Sequence, residues 1–341
     1  MSDSGIEGRR VTIADIAREA GVSVPTVSKV LNGHAQVSEG TRAKVERLVS
    51  EYGYLRRRAR APRTTGLIDL VISELDSAWG LEIIRGVERV VHEAGMGVVV
   101  SAVHGRTAGA RRWLDNLAAR GSDGVILAVT ELDARRRREF DALGVAQVIV
   151  DPVGNPAPSV PSVGATNWAG GMAATEHLLG LGHRRIGMLG GPPEVLCSRA
   201  RLDGYRAALE QADLRPDDAL VRNGDFHYES GFTGASELLE LDDPPTALFA
   251  ASDLQALGAY EAVRRHGLWV GRDVSVVGFD DVSTAAWSSP PLTTVRQPLA
   301  EMAGMAARAL LHGVDTVMPA SMRVELATEL IVRESTAPPP R

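Results

Sequence analysis

Val11-Thr12-Ile13-Ala14-Asp15-Ile16-Ala17-Arg18-Glu19-Ala20-Gly21-Val22-Ser23-Val24-Pro25-Thr26-Val27-Ser28-Lys29-Val30-Leu31-Asn32 reads as two short helices joined by a tight turn. Thr12 with Asp15 three positions on is a variant of the capping box, and Ile13, Ile16, Ala17 and Ala20 then recur at helical spacing. Gly21 can adopt the left-handed conformation that ends a helix cheaply. Ser23 can cap the second helix, with Pro25 in its first turn, where no N–H is needed, and Val27, Val30 and Leu31 on its apolar face. A third helical pattern begins at Val37-Ser38 and turns Val45, Leu48, Val49 and Tyr52 inward before Gly53. A three-residue turn, Gly21-Val22-Ser23, is the spacing of a helix-turn-helix, whose second helix can enter a major groove by its N-terminal end. A plain three-helix bundle has the same spacing.

The chain around this stretch has 341 residues, 44% of them hydrophobic and 23% charged. That length suits two or three domains, and the composition excludes disorder, collagen and a disulfide scaffold. The net charge of −6 hides an asymmetry. Residues 1–65 carry twelve Lys and Arg against seven Asp and Glu, a balance of +5, so the remainder carries −11. Five arginines crowd residues 56–63, which suits phosphate or minor-groove contact as well as a solvated linker. One cysteine, Cys197, allows no intrachain disulfide and fits a reducing compartment. Residues 1–10 are polar with no apolar core, so no signal peptide is read and a cytoplasmic protein is expected. No apolar run reaches the length of a membrane span.

From Gly66 onward, apolar runs of strand length (67–72, 97–103, 124–129, 146–150, 185–189, 246–250 and 273–279) alternate with amphipathic stretches. Such alternation predicts parallel sheets covered by helices, and roughly 270 residues exceed one comfortable core, so two α/β subdomains with a ligand cleft between them are expected. The eight histidines never fall at metal-ligand spacing, and Gly187-Met188-Leu189-Gly190-Gly191 is not a dinucleotide motif. The pairs Asp217-Asp218, Asp242-Asp243 and Asp280-Asp281 are adjacent in sequence and point apart on extended backbone, unlike a glycosidase pair. Neither an enzyme nor a cofactor or metal requirement is read.

Residues 11–54 resemble the headpiece of the lactose/galactose repressor (LacI/GalR) family nearly without interruption, ending in Tyr52-Gly53-Tyr54. Gly182-His183-Arg184-Arg185-Ile186, Arg201-Leu202-Asp203-Gly204-Tyr205, Ser252-Asp253, residues 275–281 and residues 290–295 are similar to the family's core markers and, more weakly, to periplasmic sugar-binding proteins. The resemblance covers about residues 11–333. It implies an all-α helix-turn-helix headpiece at 1–57, a basic hinge at 58–66 and a core at 67–333 of two parallel-sheet subdomains like periplasmic binding proteins. The N-subdomain is expected at 67–166 and 293–323, the C-subdomain at 167–292 and 324–333, with crossings near 166, 292 and 324 and a disordered tail at 334–341.

By position, the resemblance places Val24, Pro25 and Lys29 at base-reading sites, and Thr12, Ser23, Thr26, Ser28, Asn32 and Tyr54 where phosphate contacts are made or supported. Arg58, Arg60 and Arg63 join them from the hinge. The family's hinge helix wedges a Leu into the minor groove. Here Pro62 interrupts the stretch and no Leu lies between Arg56 and Gly66, so groove-inserted arginines are the substitute. For the effector, the resemblance assigns Arg201 and Asp280, whose planar charged groups suit vicinal hydroxyls. It adds Trp79 and Phe226 as aromatic walls, with Asp76, Asp151, Asn167, Cys197 and Ser252 as further candidates. Against these readings, Arg201 and Asp280 can simply pair, Trp79, Phe226 and Cys197 can be packing residues, and Asp151 before Pro152 can shape a turn.

The expected protein is a homodimeric regulator of palindromic double-stranded operator DNA, a repressor of carbohydrate genes answering to a mono- or oligosaccharide. Residues 79–91 and 287–291 are candidate dimer contacts. The tail carries no heptads for a tetramer. A nucleobase effector, a corepressor, a sugar-binding transport protein and a sugar-modifying enzyme are the alternatives.

Overall fold

A computed structural model describes residues 13–31, 37–51, 65–103, 110–128, 134–154, 156, 160–315 and 322–340. The chain divides into two compact units, Met1–Arg63 and Thr64–Arg341.

In the first unit α1 (Ile13–Ala20), α2 (Val24–Leu31) and α3 (Glu39–Glu51) enclose Ile16, Ala17, Ala20, Val27, Val30, Val45 and Leu48. Gly21, at φ 68°, ends α1 as expected: its N–H donates to Arg18 O and that of Val22 to Ala17 O, the paired bonds that satisfy a helix's last carbonyls. Ser23 caps α2 by accepting from Thr26 N–H and meeting the Thr26 hydroxyl at 2.8 Å.

The second unit is built on two parallel-rich sheets. Among the described residues the first contains β1 (Leu67–Ile72), β2 (Gly97–Ala102), β3 (Gly124–Ala128), β4 (Ala146–Val150) and β5 (Ser162–Ala165). Helices α4 (Ala78–Glu93), α5 (Ala110–Arg120) and α6 (Ala134–Leu143) connect them. The chain then enters the second lobe through α7 (Asn167–Gly180), β6 (Ile186–Gly190), α8 (Leu196–Gln211), β7 (Val221–Asn223) and α9 (Tyr228–Leu239). It continues through β8 (Ala247–Ala250), α10 (Asp253–Arg265), β9 (Ser275–Asp280), α11 (Ser283–Trp287) and β10 (Thr293–Arg296). Helix α12 (Leu299–Asp315) and β11 (Arg323–Leu326) return to the first lobe, and β12 (Glu329–Ile331) to the second.

The strand orders are β11-β5-β4-β3-β1-β2 and β12-β10-β9-β8-β6-β7, and β12 alone of the described strands runs antiparallel to its neighbour. Strands β3, β6 and β9 are buried at every residue because helices cover both faces, which is why they read as unbroken apolar runs. Core side chains such as Tyr205, Phe249 and Phe279 are fully buried, each worth about 1.5–3 kcal/mol of transfer free energy.

Two expectations are corrected. The second and third crossings fall later than read. Thr293–Arg296 pairs in parallel with β9, so it belongs to the second lobe, and the chain crosses at Gln297-Pro298, where proline opens the turn into α12. Arg323–Leu326 pairs with β5 in the first lobe, and the last crossing follows it. The tail, through residue 340, is ordered rather than disordered. Ser335 is fully buried, donates to Val276 O and accepts from Thr293 N–H, while its own carbonyl takes Val276 N–H. Ser275 Oγ accepts from Ala337 N–H at 3.0 Å, and Thr336 meets His177 at 2.9 Å. The unpaired polar groups at this end of the sheet need partners, and the tail supplies them.

Candidate functional site

At the carboxyl ends of β4 and β9 the two lobes bring together groups distant in sequence, the position where open α/β sheets expose ligand-binding loops. Helices α7 and α8 cross at glycines. A Cβ on Gly171 would lie 2.3 Å from Arg201 O, and one on Gly204 would lie 2.2 Å from Trp168 O. This close crossing sets Arg201, 3% exposed, under the N-terminus of α7. Its Nε donates to Asn167 Oδ1 (2.8 Å) and Nη1 to Ala251 O (2.5 Å). Its guanidinium carbon lies 3.8 Å from the centroid of the Phe279 ring and 5.7 Å from that of Phe226.

Asp280 and Asp151 flank this cation. Asp280 stands at φ 120° and Asp151 at φ 47°, conformations that L-residues seldom adopt and that mark over-determined positions. Asp280 Oδ1 lies 3.9 Å from Arg201 Nη1 and accepts from Gln297 Nε2 at 2.6 Å. Burial pushes the Asp280 carboxyl up to about 7, against the opposing pull of Arg201 and Gln297. Burial likewise raises Asp151, with Arg201, Cys197 and Asn167 pulling it down. Asp253, fully buried beneath, is raised by burial and by the charge of Asp280; it accepts from Thr294 Oγ1 (2.5 Å) and Val282 N–H (2.9 Å), pinning the loop that carries Asp280. A carboxyl that straddles protonation near neutrality, as that of Asp280 does, can either accept from or donate to a hydroxyl. The cluster is therefore suited to a neutral polyhydroxy ligand.

Of the expected effector residues, Asp151, Asn167, Cys197, Arg201, Phe226 and Asp280 come together. Cys197, on α8, acts on the charge of Asp151 of the other lobe, and Leu196 N–H donates to Val153 O across the same junction at 2.7 Å. Burial first, then the Asp151 charge, pushes the Cys197 thiol up, so it stays protonated and is no nucleophile. Ser252 is one step removed: it caps α10 by accepting from Gln255 N–H and donates to Phe226 O, holding that residue at φ 71°. Trp79 is half-buried against the first lobe's core, and Asp76 is exposed; no hydrogen bond or ring contact joins either to the cluster among the described residues. A cavity of about 390 Å³ borders Asp151, Asn167 and Cys197 together with Trp168, Arg323 and Glu325; Arg201, Asp280 and Phe226 do not line it.

Gln297 escaped the sequence reading. It is 4% exposed, and its Oε1 is buried without a partner. The available signal was a polar residue immediately before the proline that opens α12. The pair Glu74 and His227, 2.8 Å apart across the lobes, was also missed, and neither residue type nor spacing announces it.

In the headpiece, Val24, Pro25 and Lys29 are exposed on α2, Pro25 and Lys29 on the face opposite buried Val27 and Val30. The hydroxyls of Ser23 and Thr26 are engaged in the cap. Ser28 lies on the helix, and nothing further is described of its side chain. Thr12, Asn32, Tyr54, Arg58, Arg60 and Arg63 lie outside the described residues. Among the described residues no group of three or more His, Cys, Asp or Glu is placed to hold a metal, and no helix is long and apolar enough to cross a membrane.

Residues 12–57 match the model of bacterial regulatory proteins of the lacI family, and residues 175–336 that of a periplasmic binding protein-like domain. The chain is 38% identical over 337 residues to the HTH-type transcriptional regulator CelR of Thermobifida fusca, covering 96% of this chain and 98% of that one. It is 33% identical over 342 residues to the ribose operon repressor of Escherichia coli K12, covering 95% and 99%. Among solved structures, a CelR–cellobiose complex superimposes with a TM-score of 0.74 at 37% identity, covering 96% of this chain and all of that one. The lac repressor dimer bound to operator superimposes with a TM-score of 0.70 at 31% identity, again covering 96% of this chain and all of that one. The relatives are transcriptional regulators, not enzymes. With a capped helix-turn-helix at one end, a two-lobed binding core at the other and this similarity along nearly the whole length, the chain belongs to the LacI family of bacterial transcriptional regulators.

Proposed function

We propose that the protein represses carbohydrate uptake or utilisation genes in the cytoplasm, and that a small sugar bound around Arg201 controls its operator affinity. The observation that carries this reading is the cluster itself: a buried Arg201 set over Phe279 and beside Phe226, with Asp280, Asp151 and Asn167 around it. A planar cation and carboxyls make paired hydrogen bonds to vicinal hydroxyls, and an aromatic face covers the C–H side of a sugar ring. The cellobiose in the CelR complex and the ribose in the name of the other relative are of that ligand class.

Two copies present their headpieces to the two halves of a palindrome, because one recognition helix reads only a few base pairs. Lys29 donates to a guanine edge or to phosphate, while Val24 and Pro25 meet a thymine methyl or exclude a base by shape. Thr12, Ser23, Thr26, Ser28, Asn32 and Tyr54 serve the backbone, and Arg58, Arg60 and Arg63 carry the basic hinge over it. The sugar binds best when the lobes take one relative position, so it shifts the dimer toward the form with lower operator affinity.

The test is a pair of measurements on the full chain. Cellobiose or ribose should raise the thermal midpoint, since a ligand of the folded state stabilises it, and should release a palindrome from the protein's own promoter region. A sugar that tightens operator binding would make it a corepressor. No shift with any mono- or disaccharide would sink the sugar reading.

A further inference from the structure

Glu74 lies in the connection between β1 and α4 of the first lobe, and His227 precedes α9 of the second, 153 residues away. Their side chains meet at 2.8 Å, His227 Nε2 to Glu74 Oε2. On the other edge of the ring, Nδ1 lies 2.8 Å from Asp225 O and 3.4 Å from Asp225 Oδ1. Both ring nitrogens therefore face oxygens that can only accept. A neutral imidazole has one N–H and must leave one of these contacts as lone pair against lone pair; the imidazolium, with two, satisfies both.

The backbone holds the ring in this pose. Asp225 Oδ1 accepts from His227 N–H at 3.0 Å, and Ser230 Oγ donates to His227 O at 3.0 Å. Glu74 from the opposite lobe and Asp225 from its own loop are the charged groups acting on the ring among the described residues. Phe226, between Asp225 and His227, sends its ring toward Arg201 and is tied to α10 through Ser252. The contact thus joins the first lobe to the segment that walls the candidate ligand site.

We propose that Glu74 and His227 form a proton-operated latch between the two lobes, fastened by the imidazolium and released when the ring loses a proton. The latch regulates the cleft assigned above, and it rests on that cleft being the effector site. Partial burial alone would lower the His227 pKa, but the hydrogen bond and charge of Glu74, then Asp225, outweigh it and hold it above the ordinary value near 6.5. The sign follows. With the pKa raised in the latched form, latching is favoured fully below the pKa of the unlatched ring and is lost as pH rises through the raised value. The side chains are 42% and 32% exposed, so water reaches them and screens the pair. The expected effect is about two- to five-fold in the ratio of latched to open forms.

Two sugar-free measurements on the DNA-free full chain test this. In the first, the His227 Cε1–H resonance, identified by its loss in His227→Gln, is titrated in the wild type and in Glu74→Gln. The apparent pKa should fall toward the ordinary value without Glu74. In the second, the scattering radius of gyration should increase between pH 6 and pH 8.5 in the wild type and stay level in His227→Gln. An unchanged His227 titration in Glu74→Gln, or an expansion that persists in His227→Gln, overturns the latch. Because neither readout uses a ligand, failure of every sugar to bind would overturn the effector assignment, and with it the latch's role at that cleft, while the proton-dependent contact between the lobes is judged by these two readouts alone.

Discussion

Arg201 and Phe279 are stacked in the core of the second lobe, the guanidinium carbon 3.8 Å from the ring centroid. A desolvated cation over an aromatic face is fixed in plane as well as in place, so the two bonds to Asn167 and Ala251 meet it in one orientation only. Arg201→Lys keeps the charge but loses the fork and the flat contact. It should weaken effector binding at least ten-fold, about 1.4 kcal/mol, with operator affinity within two-fold. Arg201→Ala should abolish the response altogether. Calorimetric titration with the sugar and a gel-shift with operator check both, and loss of operator binding in the Lys variant would make Arg201 structural.

The carboxyl of Asp280, raised to about 7, makes stability depend on pH. The unfolded carboxyl ionises near 4, so between about pH 4 and 7 the folded state holds the extra proton and stability falls as pH rises. An amide mimics the protonated form. The thermal midpoint of wild type relative to Asp280→Asn should therefore move in favour of wild type as pH drops from 8 to 5. A difference that is flat with pH would place the Asp280 titration outside this range.

Gly171→Ala tests the crossing that positions Arg201. The added methyl would meet Arg201 O at 2.3 Å, backbone that can move only with α8. The expected cost is about 1–3 kcal/mol of stability, together with weakened effector binding. Gly180→Ala, with nothing within 4 Å of its Cβ on the same helix, should be neutral or stabilising. Denaturant titration of both variants separates a packing effect from a general intolerance of α7 to substitution.

Ser335→Ala removes the partner of the buried Thr293 N–H. A buried donor left unsatisfied costs about 1–3 kcal/mol. A chemical-denaturation midpoint within error of wild type would show that the tail does not contribute to the lobe.

Neutralising Arg58, Arg60 and Arg63 together should flatten the dependence of log operator affinity on log salt by up to roughly one unit per lost phosphate contact. An unchanged slope would reduce the hinge to a tether.

The sequence by itself determined the elements whose signals are local. Gly21 and Ser23 act through backbone conformation and a neighbouring N–H, so the turn of the helix-turn-helix is written within six residues. The buried strands are readable because both faces are covered, and Arg201 and Asp280 stand out in the sequence as candidates through the family motifs around them. The tertiary structure decided what depends on pairing between distant segments. Strands β10, β11 and β12 have only three or four residues each, and which lobe they join is set by the register offered by β9 and β5. The order of the tail comes from orphan N–H groups of Val276 and Thr293, about forty to sixty residues upstream. Gln297 enters the cluster because the crossing falls at Pro298, and Glu74 meets His227 because the folded core sets the two lobes edge to edge there. A proton-sensitive contact of that kind has no sequence pattern, since its energy comes from a distance that exists only once both sheets are built.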